Sequence, residues 1–141
     1  MLLCMNKLEL IVNKMYDKDA FSKWLGIKII DIQEGYCKLS MDISKDMLNG
    51  FGIAHGGISY SLADSALAFA ANTYGKQCVS IETSISHAVP CKEGDVLTAV
   101  TRELSKTDKL GIYLITIINQ DDKEVAIFKG TIYRTSKDWD Y

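Results

Sequence analysis

The sequence predicts an α+β fold, an antiparallel sheet of about six strands around one long helix, and three observations carry that expectation. One run, Ile58 to Tyr74, contains no glycine and no proline and is rich in Ala, Leu and Ser, a composition that favours helix. Six stretches rich in β-branched residues lie before and after it, several alternating apolar with polar side chains, with Gly, Pro, Asn or Asp between them. These stretches do not alternate with further helices, so the strands are antiparallel rather than the product of βαβ units.

Size and composition bound the rest. The 141 residues, 48% hydrophobic and 24% charged, suit a single globular domain over 1–141 with a real core. A formal charge of -2 gives no electrostatic case for nucleic acid or an anionic membrane as partner. No charge-free apolar stretch reaches the roughly 20 residues that a bilayer crossing needs. Cys4, Cys37, Cys78 and Cys91 are scattered, with no C-x-x-C pair and no histidine cluster nearby. Reduced thiols in a cytoplasmic protein, with no metal site, are the expectation. Leu2-Leu3-Cys4 lacks the charged and apolar segments of a lipoprotein signal, and the start is expected to be unprocessed.

In chain order, residues 1–24 read as an irregular helical segment built on Leu3, Ile11, Met15 and Phe21, restarting after Asp17 or Asp19 as a cap. Ile27 to Gln33 and Tyr36 to Ile43 form a hairpin around Glu34-Gly35. After the long helix, Gly75 stands at the position of a C-cap glycine, and Lys76 to Val89 is a strand that Pro90 ends. Val96 to Leu104, Leu110 to Asn119 and Glu124 to Thr135 follow as a meander, joined at Thr107-Asp108-Lys109 and Asp121-Asp122-Lys123. Residues 136–141 are expected to be a loose tail.

The chemistry concentrates at Asn49 to Thr73. A glycine-rich loop, Asn49-Gly50-Phe51-Gly52-Ile53-Ala54-His55-Gly56-Gly57, leads into the helix, whose apolar residues occupy every side and whose one carboxylate is Asp64. A helix apolar all round is a buried core helix, so Asp64 carries a desolvation cost that raises its pKa. The glycines let the backbone approach a ligand, and the first amides of the helix are outward-pointing donors suited to an oxyanion. Gly56 and Asp64 lie eight residues apart, about 12 Å along a helix. One substrate carbonyl reaches both most simply in a dimer that sets two copies of this helix antiparallel.

These residues resemble the hotdog-fold acyl-CoA thioesterases of the phenylacetic-acid-degradation (PaaI-like) type. The likeness rests on N-G-x-G-x-x-H-G-G followed by L-A-D-x-A-x-A-x-A-x-N, and extends from about Leu25 through Arg134. It implies a hotdog fold, a sheet wrapped round the helix at about 58–74. It also implies that Asp64 activates water or attacks the thioester, that the Gly56 amide polarises the carbonyl, and that Asn49 and His55 position the site. The expected substrate is an aryl- or arylacetyl-CoA, such as phenylacetyl- or hydroxyphenylacetyl-CoA. Coenzyme A is then part of the substrate and no cofactor is expected. The expected assembly is a homodimer that forms the active site, paired into a dimer of dimers.

Each residue has a structural alternative. Asp64 could be satisfied by Tyr60 or Ser61 one turn earlier. His55 could serve only to hold the loop, and Asn49 either stabilises the turn or holds the opposing carboxylate or its water. Gly57 accompanies Gly56 at the tight start of the helix. Ser80, on the strand after the helix, is a candidate neighbour of the attacking water, since some hotdog thioesterases place Ser or Thr there, and a surface position is the alternative. His87 departs from the aromatic or apolar residue that relatives often carry, and reads as structural or pocket-lining. Lys129 and Arg134, on the last strand, are candidates for the phosphates of a nucleotide-bearing thiol, or else solvated charges.

A thioester carbonyl needs no metal if fixed donors receive its oxygen, each worth about 3 kcal/mol in the barrier. No G-x-S-x-G elbow is present to support a Ser-His-Asp triad. Two other functions compete with hydrolysis: a non-catalytic acyl-thioester-binding module, and a hotdog dehydratase or hydratase acting on the acyl chain. The first is expected beside a DNA-binding segment, which is not visible, and the second is disfavoured by an aspartate within L-A-D.

Overall fold

A computed structural model describes residues 6–140; Leu3 and Cys4 lie outside them. The described residues begin with a capped helix, α1 (Lys7–Asp17), because Asn6 and Glu9 form a reciprocal capping box. Asp19 then accepts from the Ser22 amide and opens the short helix α2 (Ala20–Trp24). The hairpin β1 (Lys28–Gln33) and β2 (Tyr36–Asp42) turns at Gly35, whose φ of +70° is a left-handed conformation that suits glycine. A single 3-10 turn, Lys45–Met47, precedes the glycine-rich loop.

The long helix α3 runs from Gly56 to Asn72, two residues earlier at each end than 58–74. It starts early because the His55 side chain caps it through the glycines. It ends early because Thr73 Oγ1 turns back to donate to Ala70 O, while Asn72 Nδ2 donates to Ala68 O. Gly75 carries the positive φ of +97°, but the cap residue is Thr73. The remaining strands are β3 (Lys76–His87), β4 (Val96–Lys106), β5 (Leu110–Ile118) and β6 (Glu124–Asp138).

All six strands join one sheet in the order β1-β2-β4-β5-β6-β3, every pair antiparallel. The sheet wraps round α3, which touches β2, β3, β4, β5 and β6. Alternate residues such as Leu39, Ala99, Ile115 and Phe128 point at the helix and are buried, as the period of two along a strand requires. Helix and sheet approach closely at β6, where a Cβ on Gly130 would meet Leu67 Cδ2 at 2.5 Å. β3 is an edge strand, and its Val79 and Ile81 remain 56% and 58% exposed.

The expected loose tail from Ser136 is corrected. β6 continues to Asp138, Trp139 N donates to Gly75 O, and the Trp139 indole donates to Asn72 Oδ1 at 2.8 Å. An indole has apolar area to bury and one N–H to satisfy, and the end of α3 offers both. Among the described cysteines, Cys37, Cys78 and Cys91 are free thiols.

Candidate active site

The glycine-rich loop is held by its own first residue. Asn49 Oδ1 accepts from Phe51 N at 2.9 Å and from Ile53 N at 3.4 Å, while Asn49 N donates to Ile53 O. This is an Asx-type turn, and it uses only the oxygen of the side-chain amide. His55 is anchored by its amide to Met47 O, and its Nδ1 accepts from Gly57 N at 3.1 Å. An accepting Nδ1 leaves the ring proton on Nε2, so His55 is the helix cap.

Capping spends the Gly57 amide and leaves the Gly56 amide, which makes no hydrogen bond among the described residues. It sits at the positive end of α3 in a cleft of about 430 Å³ lined by Asn49, Ile53, Gly56, Ser59, His87 and Val89. The cleft is largely apolar, with a few convergent polar groups, the usual make-up of a small-molecule site.

Asp64 lies two turns further along α3 in a different cleft, of about 220 Å³, with Leu67, Cys78, Val79 and Ser80. Neither structural partner proposed for it is available: Tyr60 Oη pairs with Thr83 Oγ1 at 2.7 Å, and Ser61 Oγ donates to Gly57 O at 2.6 Å. Among the described residues its carboxylate has no hydrogen-bond partner. Burial, followed by the negative charge of Asp19, pushes its pKa above the ordinary aspartate value. A half-buried, unpartnered carboxylate beside open space is suited to proton transfer or attack on a bound carbonyl.

The chain thus divides its candidates between two clefts. Gly56, Asn49 and His87 share one; Asp64 and Ser80 share the other. Ser80 is next to a bulge in the β3–β6 pairing, between Ser80 and Glu82, a device that commonly re-aims side chains near functional sites. His87 was expected to be structural or pocket-lining; it lines the Gly56 cleft, with Nδ1 3.3 Å from Ser59 Oγ. The pairing with Ser59 has no signal in the sequence, because it depends on how β3 packs against α3.

Lys129 and Arg134 fall outside both clefts. Lys129 is exposed between buried Phe128 and Gly130, which puts it on the sheet face turned away from α3. Arg134 is only 7% exposed, and its Nη1 donates to Thr107 O and Asp108 O in the β4–β5 turn. That guanidinium locks a turn; the spacing along β6 gave no sign of it. A further cleft of about 440 Å³, between α1 and α3 at Met15, Phe69 and Trp139, contains none of the residues expected to act.

Comparison with known proteins identifies the family. Residues 51–126 match the family described as the thioesterase superfamily. The acyl-coenzyme A thioesterase PaaI of Escherichia coli is 41% identical over 120 residues, 85% of this chain and 86% of that one. The structure of the E. coli PaaI protein from the phenylacetic acid degradation operon superposes with a TM-score of 0.91 at 38% identity, covering 94% of this chain and 96% of the other. A mutant of the phenylacetic acid degradation protein PaaI from Thermus thermophilus superposes at 0.80 with 32% identity, covering 83% of this chain and all of the other. By sequence, by fold and by the loop-and-helix motif, the chain belongs to the thioesterase superfamily as a hotdog-fold thioesterase of the PaaI-like type.

Proposed function

We propose that two copies of this chain close a composite site that hydrolyses acyl-CoA thioesters, with aryl and arylacetyl groups as the acyl class. The observation that carries this reading is the separation of Gly56 from Asp64. An unpaired helix-terminal amide and an unpartnered carboxylate stand eight residues apart on one helix, in separate clefts, so a single carbonyl reaches both when they come from two chains. The exposed apolar side chains of edge strand β3 support pairing, since a bare strand edge is a template for another chain.

In this site the thioester oxygen accepts from the Gly56 amide at the start of one α3. Asp64 of the other chain acts on the carbonyl carbon, either as base toward a water or as nucleophile. His55 holds Gly56 in place, and Ser80 lies beside Asp64. The side-chain N–H groups of Asn49 are left for the opposing carboxylate. The apolar wall of Ile53 and Val89 suits an aromatic acyl group, and PaaI of E. coli bears the name acyl-coenzyme A thioesterase. Coenzyme A arrives with the substrate, and no resident cofactor or metal takes part.

The test is thiol release, followed with a chromogenic disulfide reagent, over phenylacetyl-, hydroxybenzoyl-, short- and medium-chain acyl-CoAs, comparing wild type with Asp64→Asn. Hydrolysis lost in a folded, dimeric variant supports the reading. Binding without turnover by the wild type would replace the enzyme with a thioester-binding module.

A further inference from the structure

The imidazole of His87 is held in one orientation by a chain of two hydrogen bonds. Ser59 Oγ lies 3.3 Å from Gly56 O and 3.3 Å from His87 Nδ1. A hydroxyl has one proton, and a carbonyl oxygen can only accept. With the Ser59 hydroxyl donating to Gly56 O, Oγ is left to accept from Nδ1–H. In the neutral ring this leaves Nε2 as a bare lone pair, a tautomer assigned from its hydrogen-bond partners.

That lone pair lies in the carbonyl-binding cleft. His87 Nε2 is 3.1 Å from the position a Cβ on Gly56 would occupy, and it has no partner among the described residues. The unpaired Gly56 amide belongs to the same residue. A proton acceptor and an oxyanion donor thus line one cleft, with Asn49 beside them on the same cleft.

We propose that His87 is the base of the second half of the reaction, oriented by Ser59. The proposal rests on the composite thioesterase site and divides its labour. Asp64 of the opposing chain adds its carboxylate oxygen to the thioester carbon, the C–S bond breaks, and the coenzyme A thiolate leaves a mixed anhydride. His87 Nε2 then takes a proton from a water while that water's oxygen attacks the acyl carbon. The C–O bond to Asp64 breaks, freeing the acid and restoring the carboxylate. The imidazolium gives its proton to the thiolate, so one water is consumed and one acid and one thiol are formed.

The experiment is rapid-mixing thiol release with the best acyl-CoA, for wild type, Asp64→Asn, His87→Gln, His87→Ala and Ser59→Ala. Glutamine keeps polarity and nearly the size of histidine but is not a base. His87→Gln should release about one thiol per active site in a burst, then turn over about 100-fold more slowly than wild type. Added imidazole should speed the slow phase of His87→Ala, and Ser59→Ala should show a weaker form of the same defect. If His87→Gln turns over at the wild-type rate, or slows without a burst, His87 is not this base. An Asp64→Asn variant as active as wild type, or a wild type with no turnover, would instead remove the composite site and this assignment with it. A folded His87→Gln with an unchanged melting temperature separates the chemistry from the packing.

Discussion

Asp19, the N-cap of α2, adds its negative charge to the burial of Asp64 on α3, and both raise the Asp64 pKa. Asp19 is fixed for this role, since its oxygens accept from Ser22 N and Ser22 Oγ, and Ser22 Oγ pairs in turn with Ser65 Oγ beside Asp64. The consequence lies in the pH profile. The ionised carboxylate is the reactive form, so the acid limb of kcat/KM should lie above the ordinary aspartate range. Asp19→Asn keeps a capping side chain and removes one of the two causes. The limb should then move to lower pH yet stay above the ordinary value, because burial, the larger cause, remains. A profile recorded from pH 3 to 8 on both proteins checks this.

The same shift makes Asp64 a stability cost. A carboxyl whose folded pKa lies above its unfolded pKa binds more protons when folded, so stability falls as pH rises between the two values. Above that window the folded state holds a half-buried charge that its own chain leaves unpartnered. Asp64→Asn should therefore melt higher than wild type at neutral pH, and the difference should shrink as the pH drops below the ordinary aspartate value. Equal melting temperatures at both ends would mean that Asp64 is ionised without penalty, and that its burial is relieved in the assembled protein. An active-site group that lowers stability is a common trade-off in enzymes.

Asn49 offers a clean division of labour. Its oxygen holds the loop through Phe51 N and Ile53 N, whereas its two N–H donors have no bond among the described residues. Asn49→Asp keeps the oxygen and deletes the donors, and it sets a negative charge where the opposing Asp64 is proposed to approach. Turnover should fall about 100-fold or more while the melting temperature changes little; a lost oxyanion-type donor alone costs that much. Asn49→Ala should lose activity and loop stability together. A fully active Asn49→Asp would show that the residue only builds the turn.

Much of this molecule was legible locally. The Ala-rich run ending in Tyr74 and the turns at Gly35 and Asp122 are properties of neighbouring residues, and the structure repeats them with shifts of a residue or two. The helix ends moved because His55 and Thr73 supply side-chain caps, which helix propensity does not register. The ordered tail has a different cause: Trp139 packs against Asn72, 67 positions away, and nothing near Trp139 announces that partner. The site divides in the same way. Gly56 and Asp64 stood out because glycine in a loop and a carboxylate in an apolar helix are local anomalies. Arg134, turned to the carbonyls of Thr107 and Asp108, and His87, tied to Ser59, take their meaning from strand pairing and helix packing.

The contact between Gly130 and Leu67 should be the least forgiving in the core. A methyl at 130 would stand 2.5 Å from Leu67 Cδ2 and 3.0 Å from Phe128 Cε1, so α3 must lift or side chains must leave their rotamers. Gly130→Ala should cost about 1–3 kcal/mol by denaturant unfolding. Leu67→Ala alone should also destabilise by leaving a cavity. The double variant should be more stable than the sum of the two losses predicts, because each change relieves the other. Strict additivity would mean that the helix and β6 are not in register as described.

The composite site makes a prediction that no single-chain site can share. Asp64→Asn should inactivate the carboxylate half of a site and Asn49→Asp the half that binds the carbonyl. In a mixed dimer one site combines both lesions, while the other combines Asp64 from one chain with Asn49 and Gly56 from its partner, all intact. Mixing the two variants in equal amounts, with subunits exchanged through mild denaturation and refolding, gives random pairing. About half of the dimers are then mixed, each with one working site of two, so activity should recover to about a quarter of wild type. Each variant refolded alone should stay inactive, which controls for reversion by handling. If Asp64 and Asn49 served the same carbonyl from one chain, every site would carry a lesion in any combination and mixing would recover nothing. The recovered fraction thus separates a shared site from two independent ones, and it does so without knowledge of the natural acyl group.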